Sequence, residues 1–342
     1  MQQKIKIQPI TAELYPSFYE MVQASQWGNP MLPNTYQSSL WGDLLVEDNR
    51  VIGGWVGTIR GNIPIAKMIT KSVYFDSYPI FATDEMKNLY QDSLITSMKL
   101  RAAREGITMF NLTHWVRGRG MQVDIREKCA TFTYDLSLSV DDIYAKLDRL
   151  KRRTIKKSEA NSFEIRFLHK HNALPYIDEF LQLRQVTQKR AIQHNARASM
   201  LLKSAEFFNK LFIDYDTTLV AIKVENKLVA AATFIIAGNT VYAHMSGSDS
   251  VYNKSMGTGT YYYWAAVKYF KERGLKVFDF GGSPITPEET HPAYGVYSFK
   301  KGFGGEYQEF DGGKIIISHW KYKLLNWLLS QRKVLRFFST KL

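Results

Sequence analysis

The sequence predicts an α+β (α/β) protein built twice, each copy a mixed sheet flanked by helices, and three observations carry that prediction. Residues 48–62 read DNRVIGGWVGTIRGN and residues 225–239 read ENKLVAAATFIIAGN, so an acidic residue, Asn, a basic residue, an apolar run and Gly-Asn recur at one spacing. Each reads as strand, tight turn, strand. Further along, LRAAREGITMFNL (100–112) parallels KYFKERGLKVFDF (268–280), a helix closed by Gly106 or Gly274 and followed by a short buried strand. Finally, 342 residues are long for one compact core, which makes two domains of roughly 150 residues the default.

The elements follow in order. Helices are expected at 11–24 and 84–105, with strands at 51–60, 63–74 and 107–112. Ser139 with Asp142 three residues later makes a capping box that opens the second half. Helices then fall at 173–192, 199–213 and 258–273, and strands at 163–168, 218–224, 228–237, 240–247, 275–280 and 314–318. This divides the chain into domains at 1–138 and 139–318, with a basic amphipathic helix at 319–342. Strands alternating with helices in both halves give mixed sheets covered by helices.

Composition bounds the partners. The 45 Lys and Arg against 32 Asp and Glu leave a net charge of +13, which implies an anionic partner: nucleic acid, a phosphorylated substrate or an acidic membrane surface. A single cysteine, Cys129, excludes an intramolecular disulfide framework and a Cys-based zinc site. The seven histidines show no metal spacing, and HKH at 169–171 reads as a solvated pair, so neither a metal nor a permanently bound cofactor is expected. The N-terminus lacks a continuous apolar segment and no apolar run reaches membrane-spanning length, so a cytoplasmic protein is expected.

The second half also carries three stretches that point to a family. LKRRTIKKSEANSFEIRF opens it, DFGGSP (279–284) follows the helix-Gly-strand unit, and YGVYSFKKGFGG (294–305) stands near its end. Together with the internal repeat these resemble the FemABX family, whose members are similar to one another as tandem GNAT folds. The resemblance is specific over roughly residues 135–310. It implies transfer of an aminoacyl group from charged tRNA to an amine of a peptidoglycan or other cell-envelope precursor.

By that resemblance the family's Phe-Lys pair falls on Phe299 and Lys300. Acyl transfer to an amine passes through a tetrahedral oxyanion, and Lys300 is the candidate cation for it, with Phe299 shaping its pocket. Read without the family, YGVYSFKKGFGGE is a buried strand, a turn and a second strand, with Lys301 alternating to the solvent face. Asp279, Gly281 and Gly282 admit a ligand-facing turn or a purely structural one.

The segment RLKRRTIKKSE (149–159) reads as a solvated helix face or as a track for phosphates, with Arg152 and Lys156 as candidates. TQKR (187–190) is similar to a Thr-x-x-Arg of the family, which implies a phosphate-binding role for Arg190. In the first half YQSSLWGDLL (36–45) resembles the family's Gln-x-x-x-Trp, yet Leu44 and Leu45 stand where a basic residue is expected, which weakens the grip on a nucleotide-linked acceptor.

A rival donor comes from KSMGTG (254–259). Lys254, Gly257 and Gly259 are close to the pattern with which ordinary GNAT enzymes hold the pyrophosphate of acyl-CoA, and Gly residues at a helix N-terminus clear amides for an anion. An acyl-CoA-dependent N-acyltransferase acting on an amino sugar of a surface polysaccharide is therefore the second reading. A catalytically silent tRNA- or membrane-binding protein is the third. The tail places Trp320, Leu324, Trp327, Leu328, Leu335 and Phe338 on one helical face, suited to docking on the protein or to peripheral contact of residues 320–338 with anionic lipid at the inner face of the cell membrane.

Overall fold

The computed structural model describes residues 5–61, 67–117, 121–193, 203–285, 288–291 and 293–330. In chain order the elements are β1 (Ile5–Pro9), α1 (Tyr15–Ala24), β2 (Leu40–Glu47), β3 (Arg50–Arg60), α2 (Lys67–Thr70), β4 (Ser72–Phe75), β5 (Ile80–Phe81), α3 (Asp84–Arg104) and β6 (Met109–Leu112). These are followed by β7 (Ile125–Asp135), α4 (Val140–Lys146), α5 (Arg149–Glu159), β8 (Glu164–His169), a 3₁₀ turn at Lys170–Tyr176, α6 (Ile177–Gln193) and α7 (Ala205–Asp214). The chain continues through β9 (Thr217–Val224), β10 (Lys227–Ala237), β11 (Thr240–Ser248), α8 (Ser250–Met256), α9 (Thr258–Glu272), β12 (Val277–Asp279), α10 (Tyr294–Lys301), β13 (Glu306–Ile316) and α11 (His319–Ser330).

Two compact units result: Met1–Val22 with Thr35–Lys128 and Phe310–Leu342, and Gln23–Asn34 with Cys129–Glu309. In the first, the strand order is β1-β2-β3-β4-β6-β13, antiparallel except for the parallel pair β4 and β6. In the second the order is β8-β9-β10-β11-β12-β7, antiparallel except for the parallel pair β11 and β12. The two orders are the same, and in each the final strand comes from outside the contiguous repeat.

Local chemistry explains why the repeat folds alike. The turns before β3 and β10 put Asp48-Asn49 and Glu225-Asn226 at positive φ, the geometry that matches the twist of a two-residue hairpin. Gly106 (φ 75°) and Gly274 (φ 81°) close α3 and α9 in the left-handed region. β10 is buried on both faces, Ala232, Phe234 and Ile236 in one cluster and Ala231 and Ile235 in another, which is why its sequence is a continuous apolar run. The first unit centres on Trp55, stacked on Phe75 at 3.8 Å, with its indole N–H donating to Ser77 O.

Several expectations are corrected. Of the strand expected at 63–74, residues 67–70 form a short helix, α2, and β4 follows, while 63–66 lie outside the described residues. Residues 294–301 form helix α10, not a strand, because Tyr294, Tyr297 and Lys300 recur at three-residue spacing and turn inward together. Lys301 is exposed, but on that helix. The charged segment does not prolong the helix capped by Ser139; α4 ends at Leu147 and Asp148 caps a new helix, α5, accepting from Lys151 N. His169 is half-buried, its imidazole between Tyr269 Oη (2.7 Å) and Thr218 Oγ1 (3.1 Å). Leu44 and Leu45 are fully buried in β2. Of the tail, residues 331–342, including Leu335 and Phe338, lie outside the described residues.

Candidate active site

The second unit opens its sheet where β11 and β12 part. The two strands pair in parallel only from Thr240↔Val277 to Tyr242↔Asp279, while β11 runs on to Ser248. At that fork DFGGSP makes its turn. Asp279 is fully buried, and its Oδ1 accepts from Gly281 N (2.7 Å) and lies 2.6 Å from Thr131 Oγ1. Gly281 takes φ 74°, and a Cβ there would stand 2.6 Å from Ala243 O, so only glycine passes this close to β11.

Lys300 comes to the same turn from α10. Its Nζ donates to Gly281 O (2.9 Å) and Gly282 O (2.6 Å); the residue is 8% exposed while Gly282 itself is exposed. The ammonium thus sits just under the surface at the fork. Phe299 is half-buried between Tyr263 and Phe303. Four of the residues singled out in the sequence, Asp279, Gly281, Gly282 and Lys300, therefore form one cluster, with Phe299 beside it.

Sequence reasoning missed Lys151. Its Nζ lies 3.6 Å from the centroid of Phe299 and 4.9 Å from that of Phe303, a cation held on two aromatic faces. Its position follows the helix period, because Lys151, Ile155 and Ser158 are all buried at helical spacing on α5. Burial pushes its ammonium down to about 8, with Asp148 opposing the shift. A folded pKa below the unfolded one means that the charged form is penalised. Stability should therefore rise between pH 8 and the unfolded value near ~10.4. Lys151→Met should raise the thermal midpoint at pH 7 and lose that advantage by about pH 10.5; a gain of equal size at both pH values would exclude titration of Lys151 as its cause.

The other candidates lie around this cluster. Arg152 is half-buried and Lys156 exposed on α5, whose solvent face also presents Arg149, Arg153 and Lys157. Arg190, at the end of α6, reaches Ser248 O at the end of β11 (3.4 Å). Tyr262 and Tyr263 are buried with their hydroxyls at Ser246, and burial pushes the Tyr263 phenol up to about 12.

The glycine loop of the rival reading is already occupied. Gly257 (φ 73°) ends α8 and begins α9, and a Cβ on it would meet Thr154 Cγ2 at 2.5 Å and Ser158 Oγ at 2.8 Å. Gly259 N donates to Asn253 Oδ1 at 2.8 Å, and Lys157 Nζ donates to Lys254 O at 3.3 Å. The amide that would greet a pyrophosphate is spent within the chain. Among the described residues no cluster of His, Cys, Asp and Glu could hold a metal, and no helix is long and apolar enough to cross a membrane.

Two units of the same strand order, each with one parallel pair and the second with a forked sheet, define a tandem GNAT-like fold. The solved structures agree: the crystal structure of FemX aligns over 93% of this chain and 99% of its own, with a TM-score of 0.69 at 14% identity. L-PGS from Bacillus licheniformis aligns over 88% and 90% (TM-score 0.51, 12% identity). Saccharomyces cerevisiae N-myristoyltransferase with bound myristoyl-CoA aligns over 92% and 80% (0.50, 11%). Over part of its length the chain resembles this group in sequence too: the FemAB family matches residues 220–329, and the lipid II:glycine glycyltransferase of Staphylococcus saprophyticus subsp. saprophyticus is 28% identical over 92 residues. That match covers 27% of this chain and 22% of the relative.

Proposed function

We propose that this protein is an aminoacyltransferase that moves an amino acid from charged tRNA to an amine of a peptidoglycan precursor. The observation that carries the reading is the buried Lys300 ammonium at the fork, where it donates to the carbonyl of Gly282, itself an exposed residue. The acceptor nitrogen attacks the ester carbonyl of the donor, and the electron pair of the C=O moves to oxygen. Lys300 stabilises that oxyanion, an effect worth ~3 to 4 kcal/mol for one preorganised donor. Collapse expels the ribose oxygen, which takes up the proton that the amine loses.

A polynucleotide donor is supported by the solvent face of α5, where Arg149, Arg152, Arg153, Lys156 and Lys157 suit phosphate contacts that position without reading sequence. Acyl-CoA is disfavoured by the occupied Gly259 amide. The test is titration with charged tRNA and separately with acetyl-CoA at two salt concentrations, followed by transfer to a peptide bearing a free amine. Saturable, salt-sensitive tRNA binding with transfer supports the reading. Tight acetyl-CoA binding without tRNA binding sinks it.

An acceptor anchored in lipid would place the enzyme at the inner face of the cell membrane, and α11 suits that place. Trp320 and Trp327 are 59% exposed and Leu324 38%, while Lys321, Tyr322, Leu325 and Leu328, the last expected on the Trp face, are half-buried. In vesicle flotation, Trp320→Ser with Trp327→Ser should reduce binding to anionic vesicles several-fold. Equal binding of wild type and variant would remove α11 from the membrane contact.

A further inference from the structure

An amine that attacks an ester must shed a proton before the intermediate collapses, and the departing oxygen needs one to leave. The groups already placed at the fork do not carry it. Lys300 is a donor, and Asp279 is fully buried, with its Oδ1 engaged by Gly281 N and Thr131 Oγ1. The stretch of β11 beyond its last pair with β12 holds a further titratable side chain.

The pairing of β10 with β11 runs Thr233↔Met245 and then Phe234↔Ala243, so His244 is the extra residue of a β-bulge. It stands two residues past Tyr242, where the parallel pairing with β12 ends. Regular alternation would put Ala243 and Met245 on one face of the sheet. Instead Ala243 packs in the cluster of α9 and α10, and Met245 in that of α6 and α7. The bulge thus turns His244 and Met245 to the same side, and the half-buried imidazole lies 6.2 Å from the Phe207 ring on α7, centroid to centroid.

Lys300 comes to the fork from the other side. It is carried by α10, whose Tyr297 and Phe299 pack with α9. A Cβ on Gly281 would lie 2.6 Å from Ala243 O and 3.8 Å from Lys300 Nζ, so the residue just before His244 touches the turn that Lys300 holds. An acyl carbonyl seated in the fork would have the ammonium on one side and the imidazole on the other. Thr233, fully buried on β10, orients the ring: its Oγ1 accepts from Met245 N (3.1 Å), donates to Met245 O (3.3 Å) and lies 3.5 Å from His244 Nδ1. With its own proton on Met245 O the hydroxyl can only accept from Nδ1, which favours the tautomer whose lone pair is on Nε2.

We propose that His244 is the general base of this site. The acceptor nitrogen bonds to the ester carbon, Nε2 takes the N–H proton, and the imidazolium returns that proton to the ribose oxygen as the C–O bond breaks. This role rests on the transferase reading, and the experiment separates the two. Transfer from charged tRNA is measured to two peptides that differ only in the nucleophile, an alkyl amine and a hydrazide, the latter uncharged at neutral pH.

His244→Gln and His244→Ala should lower transfer to the amine about 100-fold, and transfer to the hydrazide less than about tenfold, because a nucleophile that is already neutral needs the base less. Binding of tRNA and the thermal midpoint should hold, and added imidazole should restore part of the His244→Ala rate. Wild-type rates in both variants, or equal losses with the two nucleophiles and no response to imidazole, would overturn the proposal and leave His244 a filler of the bulge. A wild-type chain that transfers to neither nucleophile sinks the transferase reading, and the role of His244 with it. Should the Ala variant not fold, His244→Gln carries the comparison of the two nucleophiles by itself.

Discussion

Lys300→Ala should lower aminoacyl transfer by about 100- to 1,000-fold while the chain remains folded. The figure follows from removing one preorganised donor to a developing oxyanion, ~3 to 4 kcal/mol of barrier. The fold should tolerate the change because Lys300 contributes an ammonium to two turn carbonyls, one of them on an exposed glycine that water can serve in its place. Lys300→Arg is the sharper comparison: it keeps the charge, but a planar fork cannot occupy the same point between Gly281 O and Gly282 O. Loss of rate in kcat with KM for the acceptor unchanged marks a transition-state role. If both variants turn over at the wild-type rate, Lys300 serves only to hold the DFGGSP turn.

How much of this was legible depends on whether the signal was local. The Asp-Asn and Glu-Asn hairpins and the Gly106 and Gly274 helix ends were readable because each turn demands its residue whatever surrounds it. β7 and β13 were the harder strands, since their partners lie far along the chain: Val277↔Asp135 for one and Ile315↔Phe110 for the other. No short-range pattern encodes such pairing. The stretch 294–301 misleads because its aromatics favour strands in general, whereas here the three-residue spacing of Tyr294, Tyr297 and Lys300 against the sheet decides.

At the site, the legible part was the pair of stretches carrying Lys300 and the Gly-Gly turn. The hidden part was which cations turn inward. Lys151 stands within a run of charges and Arg184 within an ordinary amphipathic helix, and base rates assign both to solvent. Each lies on the buried stripe of its helix: Lys151 with Ile155 and Ser158 on α5, and Arg184 beside Leu183, between Phe180 and Thr187. A basic residue on an inward stripe is the signal that both shared.

The loop that ends α10 supplies the largest expected stability effect. Gly304 has φ 73°, and a Cβ on it would lie 1.8 Å from Lys146 O and 2.5 Å from its carbonyl carbon, backbone that cannot rotate aside. Gly304 N also donates to Lys301 O, closing the turn on α10, and Asp148 N donates to Gly302 O, which ties the turn to the link between α4 and α5. Gly304→Ala therefore faces left-handed strain of about 1 to 2 kcal/mol and overpacking of about 1 to 3 kcal/mol. Against a typical total of ~5 to 15 kcal/mol this is a large fraction, and urea unfolding should show a much lower midpoint. Gly274→Ala separates the two causes: φ there is 81°, yet nothing lies within 4 Å of the added methyl. It should carry the strain alone and cost about 1 to 2 kcal/mol. Equal losses at the two positions would mean that left-handed strain accounts for both, and that the contact with Lys146 relaxes freely. A larger loss at 304 locates the difference in that contact, which also fixes the C-terminal end of α10 and with it the reach of Lys300.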